Sequence, residues 1–194
     1  MLKNLFNEKK AAQAAAYFLF RAGKPLSVLK LMKLLYLVER RSFEKYGEPM
    51  IGDRLVSMDH GPVLSRTYNH VNGELPSIQG GWESWIADRA EHDLALRNPE
   101  VLKSPEKDLP ELSEADLEIL AEIWRRFGGM SGMQLRDYTH KHCPEWRDPE
   151  GSMIPMKPEE LFTALKFTPE QTKEALARLR TEDKINEVFA SVKD

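Results

Sequence analysis

The chain has 194 residues, with 28 Lys+Arg against 31 Asp+Glu and 41% hydrophobic residues, proportions that fit one folding domain and exclude a disordered or fibrous chain. Its single cysteine, Cys143, excludes a disulfide framework and a CxxC zinc site and fits a reducing compartment. The apolar run at residues 11–20 leads directly into Arg21 without a cleavage motif and is shorter than the roughly 18 residues a membrane span needs. It reads as a helix of a cytoplasmic protein, with no membrane partner.

Residues 8–22 are alanine-rich and helical in composition, stopping at Gly23 with Pro25 beyond. Ser27 then caps a second helix in which Leu31, Met32, Leu34, Leu35, Leu37 and Val38 leave almost no polar side. A helix this apolar is central and buried. Residues 53–58 alternate closely enough for a short strand. Gly61-Pro62 restarts the chain, with Pro62 expected at the first helical position, where a missing N–H costs nothing. Leu64, Tyr68 and Val71 follow at helical spacing, and Asn72-Gly73 closes that helix. The stretch is thus expected as strand, tight turn and short helix.

Between residues 75 and 110 the helical period is lost, and a two-stranded ribbon is expected around residues 89–92. Ser113 with Asp116 forms a capping box, flanked by Leu112 and Leu117 as a hydrophobic staple. Leu117, Leu120, Ile123, Trp124 and Phe127 make one stripe that Gly128-Gly129 ends. Ser131 with Gln134 starts the next helix, which finishes near Cys143-Pro144, and Thr168 with Gln171 starts the last. The expected fold is mainly α (α+β): a compact helical domain with a small antiparallel β-sheet or hairpin. It is expected to form one domain over residues 1–194, with 1–26 as an N-terminal helix and 155–194 as a C-terminal helical extension.

The residues capable of chemistry do not assemble into a reactive pattern. His60, His70, His140, His142 and Cys143 include zinc-ligand types, but His140 and His142 are two apart and point to different sides of a helix. Cys143 precedes a proline and lacks an adjoining oxyanion-forming turn, so packing explains it better than nucleophilic catalysis. No P-loop and no GxSxG motif occurs. No catalytic residue, cofactor or metal is therefore assigned. His60, before Gly-Pro, is expected to hold the turn by bonding to neighbouring backbone, while Tyr68 and Trp146 bury rings with a polar tip partnered.

Charge is uneven along the chain. Residues 1–46 hold ten Lys+Arg and three Asp+Glu, and the remainder eighteen and twenty-eight. Such asymmetry marks either a surface for an acidic partner or ordinary solvated helix faces, the plainer reading here because no long Lys/Arg run occurs. Lys24, Lys30, Lys33, Arg40, Arg41 and Lys45 would suit DNA phosphates, yet the second helix is too apolar to read a groove. Nucleic acid is the weaker partner class.

Two stretches in order carry a resemblance. "LMKLLYLVERRSFEKYGEPMIGDRLVSMDHGPVLSRTYNHVNG" and "LSEADLEILAEIWRRFGGMSGMQLRDYTHKHCPEWRDPEGSMI" resemble the Panacea, or SocA-like, antitoxin domain over about residues 27–154. The shared pattern is an apolar KLLY helix, a GPV turn followed by tyrosine, an LS cap, a TH and a tryptophan. The chain departs from it at Met58-Asp59-His60, where the family often has tyrosine, and at Glu145, which separates Pro144 from Trp146. The resemblance implies a non-enzymatic bacterial antitoxin of a type II-like system that neutralises, by direct binding, a cognate toxin encoded beside it. An adaptor delivering the toxin to the ClpXP protease is the alternative it implies, and a DNA-binding regulator is a further one. Leu35, Tyr36, Gly61, Pro62, Val63, Tyr68, Thr139, His140 and Trp146 match the family motifs and are assigned by resemblance to the shared core and turns. Lys33, Arg40 and Arg41 on the basic helix are the expected toxin contacts.

Overall fold

The computed structural model describes residues 4–89 and 92–192. Helix α1 (Glu8–Ala22) starts where the Asn7 side chain accepts from the Lys10 N–H, and it stops at Gly23, whose φ of 62° lets its N–H return to the Leu19 and Phe20 carbonyls. Strand β1 (Leu26–Ser27) is two residues long, and Ser27 also caps α2 (Val28–Tyr46) by accepting from the Lys30 N–H. The apolar composition of α2 has the expected consequence. Leu31, Leu34, Leu35, Tyr36 and Val38 are wholly buried, each aliphatic side chain contributing about 1.5–3 kcal/mol through removal from water. This helix is the axis on which the later helices and a β-hairpin pack.

Strands β2 (Leu55–Met58) and β3 (Gly61–Leu64) form that hairpin, with Ser57 opposite Pro62 and Met58 opposite Gly61. The expected Pro62 helix start is therefore corrected: Pro62 lies in a strand, and helix α3 (Ser65–Val71) begins three residues later. A proline is tolerated there because β3 is an edge strand of the β3-β2-β6 sheet, where one row of N–H groups has no strand to meet. Strand β6 (Ile154–Pro155) pairs with the other side of β2.

Short helix α4 (Trp82–Trp85) leads into β4 (Ile86–Arg89), which pairs antiparallel with β5 (Asp93–Leu96). This is the ribbon expected around residues 89–92, although residues 90 and 91 lie outside those described. β1 adds to it, giving the order β1-β5-β4. Helices α5 (Pro105–Asp108), α6 (Glu114–Phe127), α7 (Gly132–His142), α8 (Pro158–Ala164) and α9 (Pro169–Ser191) complete the chain. The capping boxes at Ser113/Asp116, Ser131/Gln134 and Thr168/Gln171 all form. The fold is mainly α with two small antiparallel sheets, as expected. Among the described residues no helix is long and apolar enough to cross a membrane.

Tertiary structure brings the basic N-terminal region against later acids. Lys10 pairs with Asp116, Arg41 with Glu122 and Lys45 with Glu118, so α6 supplies the counter-charges to α1 and α2. Lys30 donates to the Gly128 carbonyl at the C-terminal end of α6 at 2.6 Å, where the helix dipole favours a cation. The lopsided charge of the sequence is largely cancelled in space.

Candidate functional site

One face of α2 carries Lys33, Tyr36 and Arg40 at helical spacing. All three look toward the C-terminal end of α7 and the turn after it. The Tyr36 hydroxyl donates to Glu145, and Arg40 Nε donates to the same carboxylate at 2.7 Å. Glu145 is 4% exposed, so these charge-assisted bonds are made in a medium that screens them poorly. Cys143 lies beside them, and burial pushes its thiol up to about 12, which disfavours the thiolate that a nucleophile requires.

Lys33 lies one turn earlier and is 0% exposed. Its Nζ donates to the Pro62 carbonyl at 2.7 Å, tying the β3 edge to α2. Burial pulls its ammonium down to about 7, because a desolvated cation with few partners is costly. Gly61, at φ 90°, packs into the same corner. A Cβ there would sit 2.8 Å from Thr139 Oγ1, 3.1 Å from Lys33 Cε and 3.2 Å from His140 Nε2. The position therefore needs glycine for both its backbone and its space. The His140 ring stacks on Trp146 at 3.8 Å between centroids, and the Trp146 indole N–H donates to the Met58 carbonyl at 3.1 Å. Burial and Lys33 lower the His140 pKa.

Several expected motif residues thus converge on the hairpin corner, with Leu35 in the core behind them. The turn is not held by His60, which is exposed. It is held by Lys33 beneath it and by Asp59, which accepts from the Gly151 N–H at 2.9 Å. His70 is buried elsewhere, between the rings of Phe6 and Trp82 and 3.7 Å from Glu8, while His142 lies against Tyr138. The five residues weighed as a zinc set are therefore scattered.

The basic residues expected as toxin contacts divide. Lys33 is buried beneath the hairpin, with its ammonium on the Pro62 carbonyl. Arg40, with a side chain 18% exposed, is engaged by Glu145. Arg41 is partly exposed and lies between Glu44 and Glu122.

Three buried carboxylates were not singled out by any motif in the sequence. Besides Glu145, Glu39 accepts from four consecutive backbone N–H groups, those of Met50, Ile51, Gly52 and Asp53, at 2.8 to 3.3 Å. Burial raises its carboxyl to about 7 despite those donors. Asp53 in turn accepts from the Arg66 and Thr67 N–H groups at the start of α3. Glu39 and Asp53 fix the chain entering and leaving the hairpin. A polar residue in the middle of an apolar helix was the available signal for Glu39, since it must be partnered when buried.

Above the hairpin corner lies a groove of about 850 Å³ between α2, the β2–β3 turn, α3 and the β4–β5 ribbon. Lys33, His60, Gly61, Val63 and Tyr68 reach its wall, so residues singled out in the sequence border one concavity. Among the described residues no group of His, Cys, Asp and Glu side chains has metal-ligating geometry.

Residues 31–147 match the family model described as antitoxin SocA-like, Panacea domain. The matched segment runs from the first buried residue of α2 to just past Trp146. No curated protein and no solved structure matches the chain.

Proposed function

Since this chain belongs to the SocA-like antitoxin family with the Panacea domain, we propose that it acts in its antitoxin role by binding a cognate toxin directly, the toxin being the product of the adjoining gene. The family match carries this reading. The arrangement of the buried polar groups supports it: Glu39, Asp53, Glu145 and Lys33 are all engaged in holding the hairpin and its neighbouring turns in place. A binding scaffold gains from such ties, because a surface fixed in advance loses less conformational freedom on association.

A partner of ordinary size covers roughly 800 Å² on each side, and a grooved surface with fixed turns can supply that. Neutralisation requires no chemistry from the antitoxin itself. Co-expression of this chain with the adjoining gene's product is expected to restore growth and to yield a co-purifying complex. A toxin that stays lethal beside abundant folded antitoxin would refute the proposal.

A further inference from the structure

The groove above the hairpin has an apolar wall and an acidic rim. Val28, Met32, Val63, Tyr68, Val71 and Leu94 face it from four different elements. Asp59, Asp88 and Asp93 also line it, Asp59 and Asp88 as exposed residues. Among the described residues none of these three carboxylates is in an ion pair, whereas Glu111, Asp116, Glu118 and Glu122 elsewhere each have a basic partner. Asp59 does accept from the Gly151 N–H, a bond that orients its carboxylate without neutralising it.

The basic side chains in the same lining are Lys33, His60 and His92, and among the described residues none of them is ion-paired with these carboxylates. Lys33 Nζ is turned onto the Pro62 carbonyl at 2.7 Å below the groove. The groove thus brings three carboxylates without ion-pair partners among the described residues next to apolar surface. Such a site repels anionic ligands and favours a cation whose stem is apolar. Lysine and arginine side chains have that construction, and a short apolar segment around one of them would fill the rest of the groove.

We infer that this groove is the toxin-docking site, and that it receives a segment of the toxin carrying a lysine or arginine flanked by apolar residues, the cation lying among Asp59, Asp88 and Asp93. This rests on the direct-binding reading and gives it a location. It moves the contact surface from Arg40 and Arg41 of α2, whose charges are internally engaged, to the groove lined by Asp59, Asp88 and Asp93. It also accounts for Tyr68, a motif residue only half buried although its ring packs against the core.

The test measures the dissociation constant of the full chain with the adjoining gene's product, at low and at physiological salt. Asp88→Lys changes an exposed strand position, Asp88→Lys with Asp93→Lys reverses two of the three charges, and Val71→Arg places a cation in the apolar wall. The double reversal is expected to weaken binding about tenfold or more, and wild-type affinity to fall with added salt. Melting temperatures identify any variant that is merely unfolded, in which case Asp88→Lys alone decides. Hydrogen exchange in the wild-type complex should show protection of β3 and of the β4–β5 ribbon. Wild-type binding that all three variants retain overturns the groove assignment and leaves direct binding intact. So does protection confined to the exposed apolar end of α9, at Ile185, Val188 and Phe189, or self-association of this chain through the groove. Failure of the wild type to bind the toxin removes the direct-binding reading and the groove with it.

Discussion

Glu145 shows how much a single side chain carries in this molecule. Its carboxylate satisfies Tyr36 and Arg40 at once, so Glu145→Ala strands a largely buried guanidinium and a buried hydroxyl. Loss of one member of a buried pair typically costs about 3–5 kcal/mol, and chemical denaturation should register a destabilisation of that order, with Tyr36→Phe costing less. Lys33 makes a prediction about pH. Its folded-state pKa, about 7, lies below its ordinary 10.5, so between those values the unfolded chain holds the extra proton. Stability then rises with pH, by up to about 1.4 kcal/mol per pH unit for one proton. The window to examine is pH 7 to about 9, because the raised Cys143 thiol acts in the opposite sense above its ordinary value. Lys33→Met should abolish the rise, which urea titrations at a series of pH values would show. These roles were hidden in the sequence for a physical reason. Glu145 and its partners lie more than a hundred positions apart, and Glu39 is satisfied by backbone groups, which have no residue signature.

At the level of elements, the hairpin and α2 are the parts on which the rest depends. Gly61→Ala would place a methyl group 2.8 Å from Thr139 Oγ1 at a backbone angle of φ 90°. Strain and overpacking together predict a loss of about 1–3 kcal/mol, measurable as a lowered melting temperature. Leu35→Ala, at a wholly buried position of α2, should cost about 2–5 kcal/mol through lost burial and the cavity left behind. What was legible at this scale was local. The caps at Ser27, Ser113, Ser131 and Thr168 lie three residues from the N–H groups they bond, and each starts a helix where the sequence places one. At Pro62 the sequence is ambiguous, because both a first helical turn and an edge strand excuse its missing N–H. Only pairing with Ser57 distinguishes the two, and pairing is not local. The two-residue strands at Leu26–Ser27 and Ile154–Pro155 are too short to show any period.

For the whole molecule, charge and family lead to one account. The positive N-terminal region suggested a contact surface, but the fold pairs it with the acids of α6. The groove carboxylates, which are in no ion pair among the described residues, come from two segments some thirty residues apart, the β2–β3 turn and the β4–β5 ribbon. Arg41→Glu tests the older surface directly: because Arg41 lies between Glu44 and Glu122, reversal should perturb α2 and α6 slightly and leave toxin affinity nearly unchanged in a titration. The family assignment was legible because it rests on ordered motifs, whereas the docking surface depends on side chains that the fold assembles. The central claim is neutralisation by direct contact, and one measurement addresses it most closely: the activity of purified toxin titrated with this purified chain, with no protease and no nucleic acid present. Direct binding gives inhibition that saturates at a fixed stoichiometry; undiminished toxin activity at a large excess of folded antitoxin would refute it.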